Sequence, residues 1–184
     1  MTYTCTIDTP LGVMTAAATD EALSGLWFVG QKYYPPQAAH WVYEPNHPIF
    51  KELRHFLASY FSGKAGAPCI PLAPKGSPFR KAVWDILLKI PKGHVATYGQ
   101  IAALIGETRG SASMSAQAVG GAVGHNPISI LIPCHRVVGH NGSLTGYAGG
   151  LDKKAALLRI EKVDLARIDF DQSVLPFTTV RRAK

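Results

Sequence analysis

Residues 65–78 constrain the architecture of this chain more than any other stretch. They are rich in residues that interrupt helices and strands, namely Gly66, Pro68, Pro71, Pro74, Gly76 and Pro78. Such a composition is typical of a linker between folded regions. The sequence therefore predicts an N-terminal α/β domain at 1–72, a second domain at 73–165 and a C-terminal tail at 166–184.

Composition and charge limit the classes of function. With 184 residues, of which 47% are hydrophobic and 17% charged, the chain is suited to globular domains. No apolar run approaches the ~20 residues of a membrane-spanning helix, and the N-terminus lacks a signal-peptide pattern. We therefore expect a cytoplasmic monomer without a membrane partner, nucleoid-associated if prokaryotic. The net charge of +7 fits a polyanion such as DNA, although a basic protein without such a partner would look the same.

The cysteines predict neither a disulfide framework nor a metal site. Cys5, Cys69 and Cys134 are odd in number and widely spaced, as expected in a reducing compartment. No Cys-x-x-Cys occurs, and no pair of histidines has the spacing of zinc ligands. We expect no metal and no cofactor, and we interpret the N-terminal histidines as surface or packing residues.

Hydrophobic patterning predicts the elements of both domains. In the first domain it indicates strands at 2–6, 13–18 and 22–29 and a helix at 48–60. In the second it indicates helices at 79–88, 98–104, 115–123 and 151–163. The helix at 151–163 is predicted to be amphipathic, with an apolar face of Leu151, Ala155, Leu158 and Val163 and a charged face of Lys153, Lys154, Arg159 and Lys162. Ser77 is the expected N-cap of the first of these helices, and Gly106 is expected to close the next. The middle pair resembles a helix-turn-helix with a longer connection than usual.

An apolar run that ends at a proline places reactive side chains at the edge of the core. Residues 130–132 are predicted to form a buried strand, and Pro133 ends its pairing because proline lacks an N–H group. Cys134, His135 and Arg136 follow directly. A neighbouring cation and imidazole favour the thiolate, which is the nucleophilic form of cysteine. This stretch therefore predicts that Cys134 is activated.

The stretch 132–137, Ile-Pro-Cys-His-Arg-Val, resembles the active-site signature of the methylated-DNA–protein-cysteine S-methyltransferases, also called O6-alkylguanine-DNA alkyltransferases. Matching segments lie in the same order between about residue 77 and residue 161, namely 98–100, 118–122, 126–127, 146–150 and 157–161. The resemblance implies an RNase-H-like α/β domain followed by a mostly α, winged-helix-like domain with a helix-turn-helix. It also implies DNA repair by irreversible, single-turnover transfer of a methyl or other alkyl group from O6 of guanine to Cys134. The partner would be double-stranded DNA, with the damaged base flipped out through minor-groove binding.

The resemblance implies a role for each catalytic residue. Cys134 would attack the alkyl carbon, and His135 would act on the thiol through a bridging water. Glu161 would orient the imidazole of His135. Tyr98 would give a proton or a strong hydrogen bond to O6 of the leaving guanine. The product would be S-methylcysteine, which nothing in the sequence would reset, so each molecule would act once.

The resemblance also implies a pocket for the flipped base. Tyr147 would line this pocket. The backbone carbonyls of Cys134 and Val137 would accept hydrogen bonds from the exocyclic amine of guanine. Asn126 would brace the turn between the helix-turn-helix and the active site, as structural support.

The predicted DNA-binding residues are Gln117, Gly120, Gly121 and Arg136. Glycine inside a helix costs ~1 kcal/mol relative to alanine, so Gly120 and Gly121 indicate close approach, either of another helix or of a DNA backbone. In the family this helix enters the minor groove, which is only ~6 Å wide. Most relatives carry Arg where this chain has Gln117, so weaker DNA binding or altered base flipping is expected. Arg109 could supply a compensating phosphate contact.

Three other functions remain open on the residues alone. Cys134, His135 and Glu161 could form the triad of a hydrolase, which would turn over through an acyl-enzyme. A non-catalytic sensor of alkylated DNA is less compatible with the sequence because such relatives lack the reactive cysteine. A plain helix-turn-helix regulator is also disfavoured, since the second helix has no Arg, Asn or Lys to read base edges.

Overall fold

The computed structural model of the chain describes residues 1–35, 40–110 and 114–166, together with the backbone at 178–179. The chain divides into two compact units. One contains Met1–Lys75 and a second segment, Pro127–Leu131, and the other contains Gly76–Asn126 and the chain from Ile132 onward. No helix in the described ranges is long and apolar enough to cross a bilayer. Most of the predicted tail lies outside the described residues.

The N-terminal unit is a sheet with one helix. Its strands, in the spatial order β3-β2-β1-β4, are β1 (Tyr3–Ile7), β2 (Met14–Ala18), β3 (Leu23–Phe28) and β4 (Val42–Tyr43). The first three are antiparallel to their neighbours, whereas β4 pairs parallel to β1. Helix α1 (Pro48–Phe61) buries an apolar face with helical spacing, namely Ile49, Phe50, Leu53, Leu57 and Tyr60. The three predicted strands and the helix are confirmed to within one or two residues, and β4 was not predicted.

The C-terminal unit is mostly helical, as predicted. Its elements are α2 (Pro78–Leu87), β5 (His94–Thr97), α3 (Tyr98–Arg109), α4 (Ala116–Gly124), β6 (Val137–Val138), α5 (Leu151–Ile160) and β7 (Thr178–Thr179). Strand β5 lies between β6, to which it is parallel, and β7, to which it is antiparallel. Buried apolar residues of β5, β6 and the α5 region form one cluster, namely Val95, Val138, Leu158 and Val163.

Side-chain caps start helices α2 and α3. Ser77 accepts a hydrogen bond from the backbone N–H of Arg80, which confirms the predicted N-cap of α2. Thr97 and Gln100 form a capping box at the start of α3. The prediction that this helix closes at Gly106 was wrong, because α3 continues to Arg109. Gly106 is buried inside α3, where packing offsets the low helix propensity of glycine.

The predicted strand at 130–132 was also wrong. These residues are buried, but they form a turn in which Ile130 has a φ of 71°. Pairing is confined to one bridge, in which Leu26 of β3 donates to the carbonyl of Pro127 and accepts from the N–H of Ser129. A short apolar run does not distinguish a strand from a buried turn, since both hide the same side chains from water.

Candidate active site

The candidate nucleophile lies on a single turn of 3-10 helix, Cys134–Arg136, that leads into β6. The turn begins after Pro133, and β6 pairs in parallel with β5. Because β5 is followed directly by α3, this pairing brings the start of α3, with Tyr98, near the strand that follows Cys134. The parallel pair therefore assembles residues that are far apart in the sequence.

Cys134 is buried, with 4% of its surface exposed. The amide nitrogen Nδ2 of Asn126 lies 3.0 Å from its Sγ and also donates to the carbonyl of Ile132 at 2.8 Å. Burial raises the pKa of the Cys134 thiol, while the Asn126 hydrogen bond and the charge of Lys154 act in the opposite direction. Asn126 therefore contacts the nucleophile itself and is more than a brace of the preceding turn.

His135, Glu161 and Arg136 form one ion-paired cluster. Nε2 of His135 lies 2.7 Å from Oε1 of Glu161, and both side chains are fully buried. Arg136 meets the same carboxylate in a bidentate pair, with Nε 2.8 Å from Oε2 and Nη2 2.9 Å from Oε1. Its Nη1 donates to the carbonyl of Ile90. The positive charge expected to act on Cys134 from Arg136 is thus directed to Glu161.

The charge states of this cluster follow from its surroundings. Burial alone would raise the pKa of Glu161, but His135 and Arg136 outweigh it and hold that pKa below its ordinary value. Burial lowers the pKa of His135, more than Glu161 raises it, so the imidazole is neutral at pH 7. Because an ionised carboxylate can only accept, Nε2 of His135 carries the proton. In the neutral ring Nδ1 then has the lone pair, and it is the atom that can act as a base.

Tyr98 is held at the loop that precedes Tyr147. Its hydroxyl lies 3.1 Å from the carbonyl oxygen of Thr145 and 3.2 Å from that of Gly146, and it donates to this pair of acceptors. Burial, followed by the nearby Cys134, raises the pKa of Tyr98 to about 12, so the phenol keeps its proton. A side chain at Gly146 would force the Tyr98 hydroxyl to shift, since a Cβ there would lie 2.7 Å from it.

Lys154 is a candidate site residue that the sequence reasoning missed. It was assigned to the charged face of the last helix, but it is completely buried. Its Nζ donates to the carbonyl of Val137 and, at 2.6 Å, to that of Thr145. The spacing of α5 could have revealed it, because the buried Leu157 and Leu158 lie three and four residues after Lys154, on the same face of the helix.

The two residues predicted to bind the flipped base, Val137 and Tyr147, lie inside the C-terminal unit. Val137 is fully buried and Tyr147 is 9% exposed. The carbonyl of Val137, expected to receive the exocyclic amine of guanine, already accepts the Lys154 ammonium. A carbonyl oxygen has two lone pairs, so both hydrogen bonds can be made.

The predicted DNA-binding residues divide into two groups. Gln117 and Gly121 are exposed on α4, where the Ser115 hydroxyl caps the first turn. A Cβ at Gly121 would meet no described atom within 4 Å, and one at Gly120 would make only an ordinary contact with the Tyr98 ring. Close packing inside the protein therefore does not account for the glycines. Arg136, in contrast, is only 13% exposed and has partners within the protein.

Within the described part of the chain, no group of three or more His, Cys, Asp or Glu side chains could hold a metal ion.

Arg109, considered for a phosphate contact, lies against an aromatic ring of the protein. Its guanidinium is 5.2 Å from the ring centroid of Phe79, in a cation–π arrangement at the end of α3. The phosphate contact considered for Arg109 stays a prediction.

Comparison with known sequences identifies both halves of the chain. A family profile described as "6-O-methylguanine DNA methyltransferase, ribonuclease-like domain" matches residues 1–74, and one described as its "DNA binding domain" matches residues 78–163. The chain is 43% identical over 157 residues to a methylated-DNA–protein-cysteine methyltransferase of Mycolicibacterium paratuberculosis, covering 85% of this chain and 90% of that protein. Over 159 residues it is 42% identical to a protein of the same name from Methanosarcina barkeri, covering 86% and 96%.

Solved structures agree with the sequence comparison. The crystal structure of Mycobacterium tuberculosis OGT in complex with DNA has a TM-score of 0.77 at 40% identity, covering 87% of this chain and 92% of that chain. That of Mycobacterium tuberculosis O6-methylguanine methyltransferase has a TM-score of 0.78 at 41% identity, covering 92% and 100%. These matches confirm the predicted fold class, an RNase-H-like α/β domain followed by a helical DNA-binding domain. The chain belongs to the family of methylated-DNA–protein-cysteine methyltransferases.

Proposed function

We propose that this protein repairs DNA by moving an alkyl group from O6 of guanine to the sulfur of Cys134, once per molecule. The observation that carries the proposal is the buried Cys134, contacted at 3.0 Å by Asn126, within the family signature and next to the paired His135 and Glu161. The substrate is O6-alkylguanine in double-stranded DNA, bound by one protein molecule. The protein acts where the DNA is, which in a prokaryote is the cytoplasm.

The reaction begins with removal of the Cys134 proton. Nδ1 of His135 takes it through a bridging water, because Nε2 is already committed to Glu161 at 2.7 Å. The ionised Glu161 stabilises the imidazolium that forms, and Arg136 keeps that carboxylate ionised and in place. Arg136 thus supports the base in this proposal, and we do not assign it a base-reading contact.

The transfer itself makes one bond and breaks one. The Cys134 sulfur bonds to the alkyl carbon as the bond between that carbon and O6 breaks, which leaves negative charge on guanine. The Tyr98 hydroxyl turns from the carbonyls of Thr145 and Gly146, donates a hydrogen bond to O6 and then a proton, and the guanine leaves neutral. The tyrosinate regains its proton from the imidazolium through solvent. The thioether product has no ionisable proton, so the protein is consumed.

Base recognition uses the pocket and the exposed face of α4. Tyr147 forms a wall of the pocket, and the carbonyls of Cys134 and Val137 accept from the exocyclic amine. Helix α4 approaches the minor groove with Gly120 and Gly121, which lack side chains that would keep the DNA backbone at a distance. Gln117 at its exposed N-terminal end fills the space that the flipped base leaves.

The test is intact-protein mass spectrometry after mixing with an oligonucleotide that carries a single O6-methylguanine. The wild type should gain one methylene mass, saturating at one per protein, whereas Cys134→Ser should gain none. Cys69→Ser, which removes an exposed thiol, is the matched control and should react like the wild type. Binding of the lesion without any mass gain would refute the proposal in favour of a sensor. Turnover of an ester substrate without DNA would favour a hydrolase.

A further inference from the structure

Lys154 is buried in a way that its charge does not explain. Lysine is almost never fully buried unless it is paired, because removing an ammonium from water is unfavourable. No carboxylate of the described residues forms an ion pair with Lys154. Instead, the side chain is completely buried and donates to two backbone carbonyls. A residue retained under such a penalty calls for a functional explanation.

The two carbonyls belong to the two segments that form the guanine pocket. That of Val137 is in β6, directly after the turn that carries Cys134. That of Thr145 is in the loop that leads to Tyr147, and it also accepts from the hydroxyl of Tyr98. One ammonium therefore fixes the strand behind the nucleophile and the loop of the pocket, and it shares an acceptor with the proposed proton donor.

Lys154 is also the cation whose charge acts on Cys134. The charge of Arg136 is matched by Glu161 through a bidentate pair. Lys154, with no carboxylate partner in the described residues, lowers the cost of negative charge on the Cys134 sulfur, as the Asn126 amide also does. Because the ammonium is shielded from water, its field is screened less than that of a surface lysine.

We propose that Lys154 is a positioning residue for alkyl transfer, which fixes the carbonyls of Val137 and Thr145 and compensates the negative charge that develops on Cys134. This inference rests on the proposed function for its substrate and deepens it by one residue. Lys154 does not touch the reacting atoms and exchanges no proton in the reaction. Its effects are the geometry of the pocket and the charge at the sulfur.

The charge of Lys154 gives alkyl transfer a distinctive dependence on pH. The titratable groups that face the ammonium are Cys134 and His135, and Tyr98 is linked to it through the Thr145 carbonyl. Burial lowers the pKa of Lys154 to about 8, although Cys134 opposes this. Above that pH the ammonium loses its charge. Transfer by the wild type should therefore stop rising with pH near 8, where a thiol acting alone would continue to gain thiolate.

The experiment compares Lys154→Met, Lys154→Arg and Lys153→Met. The Met variant keeps the length of the side chain without its charge, Arg keeps the charge, and Lys153→Met removes the same charge from the adjacent, partly exposed position. For each protein, circular dichroism checks folding. Two quantities are then measured at a series of pH values from about 6 to about 10. One is the single-turnover transfer rate, and the other is the Cys134 thiolate absorbance, taken as the difference from Cys134→Ser.

We expect Lys154→Met to slow transfer about 100-fold at neutral pH, because both orientation and charge are lost. Its thiolate population should fall by about 10-fold, equivalent to one unit in the Cys134 titration. Its rate should continue to rise above pH 8, whereas Lys154→Arg should recover part of the rate and Lys153→Met should match the wild type.

The proposal is overturned if Lys154→Met, once folded, has the rate and the thiolate titration of Lys153→Met. It is equally overturned if the wild-type rate rises without a break to about pH 10, a result that requires no variant to fold. Failure of the proposed function is a separate outcome. A wild type that accepts no methyl group would refute that function, and the thiolate titration, which uses no DNA, would still decide whether Lys154 acts on Cys134.

Discussion

Replacing Glu161 with glutamine tests the cluster behind the nucleophile most directly. The change keeps the shape of the side chain and removes its charge. The carboxylate is fully buried and accepts from Nε2 of His135 at 2.7 Å and from Arg136 at 2.8 and 2.9 Å. Glutamine would place an NH2 group, which can only donate, against one of these donors. At least one of the buried hydrogen bonds would be lost.

The size of the effect follows from burial. Breaking a buried ion pair by removing one partner costs about 3–5 kcal/mol, since the remaining charge is left without compensation. Arg136 is 13% exposed and keeps its bond to Ile90, which relieves a part of this cost. We therefore expect a loss of about 3 kcal/mol in the free energy of unfolding at pH 7. The transfer rate should fall at least ~100-fold because His135 is no longer held in the tautomer that places the basic lone pair on Nδ1.

The pH dependence of stability tests the contribution of the Glu161 charge independently. The pKa of Glu161 is lower in the folded state than in the unfolded chain, so its contribution is complete above the ordinary value of about 4.3 and is lost as the pH falls below it. The difference in stability between wild type and Glu161→Gln, measured by urea denaturation, should therefore shrink between pH 7 and about pH 3.

Glu107→Gln is the matched control, because Glu107 is exposed on α3 and its change should cost less than about 0.5 kcal/mol. The reasoning would be refuted if the two variants lost equal stability at pH 7. It would also be refuted if the cost of Glu161→Gln stayed constant down to pH 3.

Three further predictions concern Gly146, Gln117 and Lys154. Gly146→Ala should slow transfer more than Gly110→Ala. Both glycines have a positive φ, 63° and 62°, but only at Gly146 would the new Cβ meet a described atom, the Tyr98 hydroxyl at 2.7 Å; equal transfer rates would show that this contact does not matter. Gln117→Arg should tighten DNA binding and steepen its salt dependence by a slope of about 0.9, measured by titration at several salt concentrations, while Val29→Arg, an exposed change in the N-terminal unit, serves as the control for added charge. The free energy of unfolding of the wild type, relative to that of Lys154→Met, should rise by about 3 kcal/mol between pH 8 and pH 10.5. The reason is that Lys154 keeps its proton in the unfolded chain over this range but has lost it in the folded protein. A stability difference by urea denaturation that does not change with pH would contradict the pKa of about 8.

Local rules predicted much of the fold and little of the site. Ser77 was recognised as an N-cap because one hydroxyl and one proline specify that geometry without help from the rest of the chain. The His135–Glu161 pair joins residues 26 positions apart, and only the likeness to a family suggested it beforehand. No periodicity connects a 3-10 turn to the end of a distant helix, so such a pair depends on tertiary packing.

The errors have a common physical cause, which is that apolar residues indicate burial more reliably than they indicate conformation. Residues 130–132 are buried as expected, yet a left-handed Ile130 turns the chain there. Leu151 was predicted on the apolar face of the last helix, but it is 47% exposed. The predicted buried face is therefore rotated about the helix axis relative to the observed one, and Lys154 was assigned to the exposed side although it is buried. A buried lysine contradicts the usual preference of its charge for water, so polarity alone could not identify it.

Burial of the nucleophile suits a protein that is used once. Burial raises the pKa of Cys134, so the resting sulfur is protonated and protected from adventitious reactions. When the proton leaves, a thiolate of high pKa is the better nucleophile, because nucleophilicity falls as the pKa falls. The thioether product carries no charge, so the surroundings that disfavour the thiolate do not disfavour the product. Deep burial therefore favours transfer as long as Asn126 and Lys154 hold the transient charge. An enzyme that has to regenerate its thiolate in every cycle would lose this advantage.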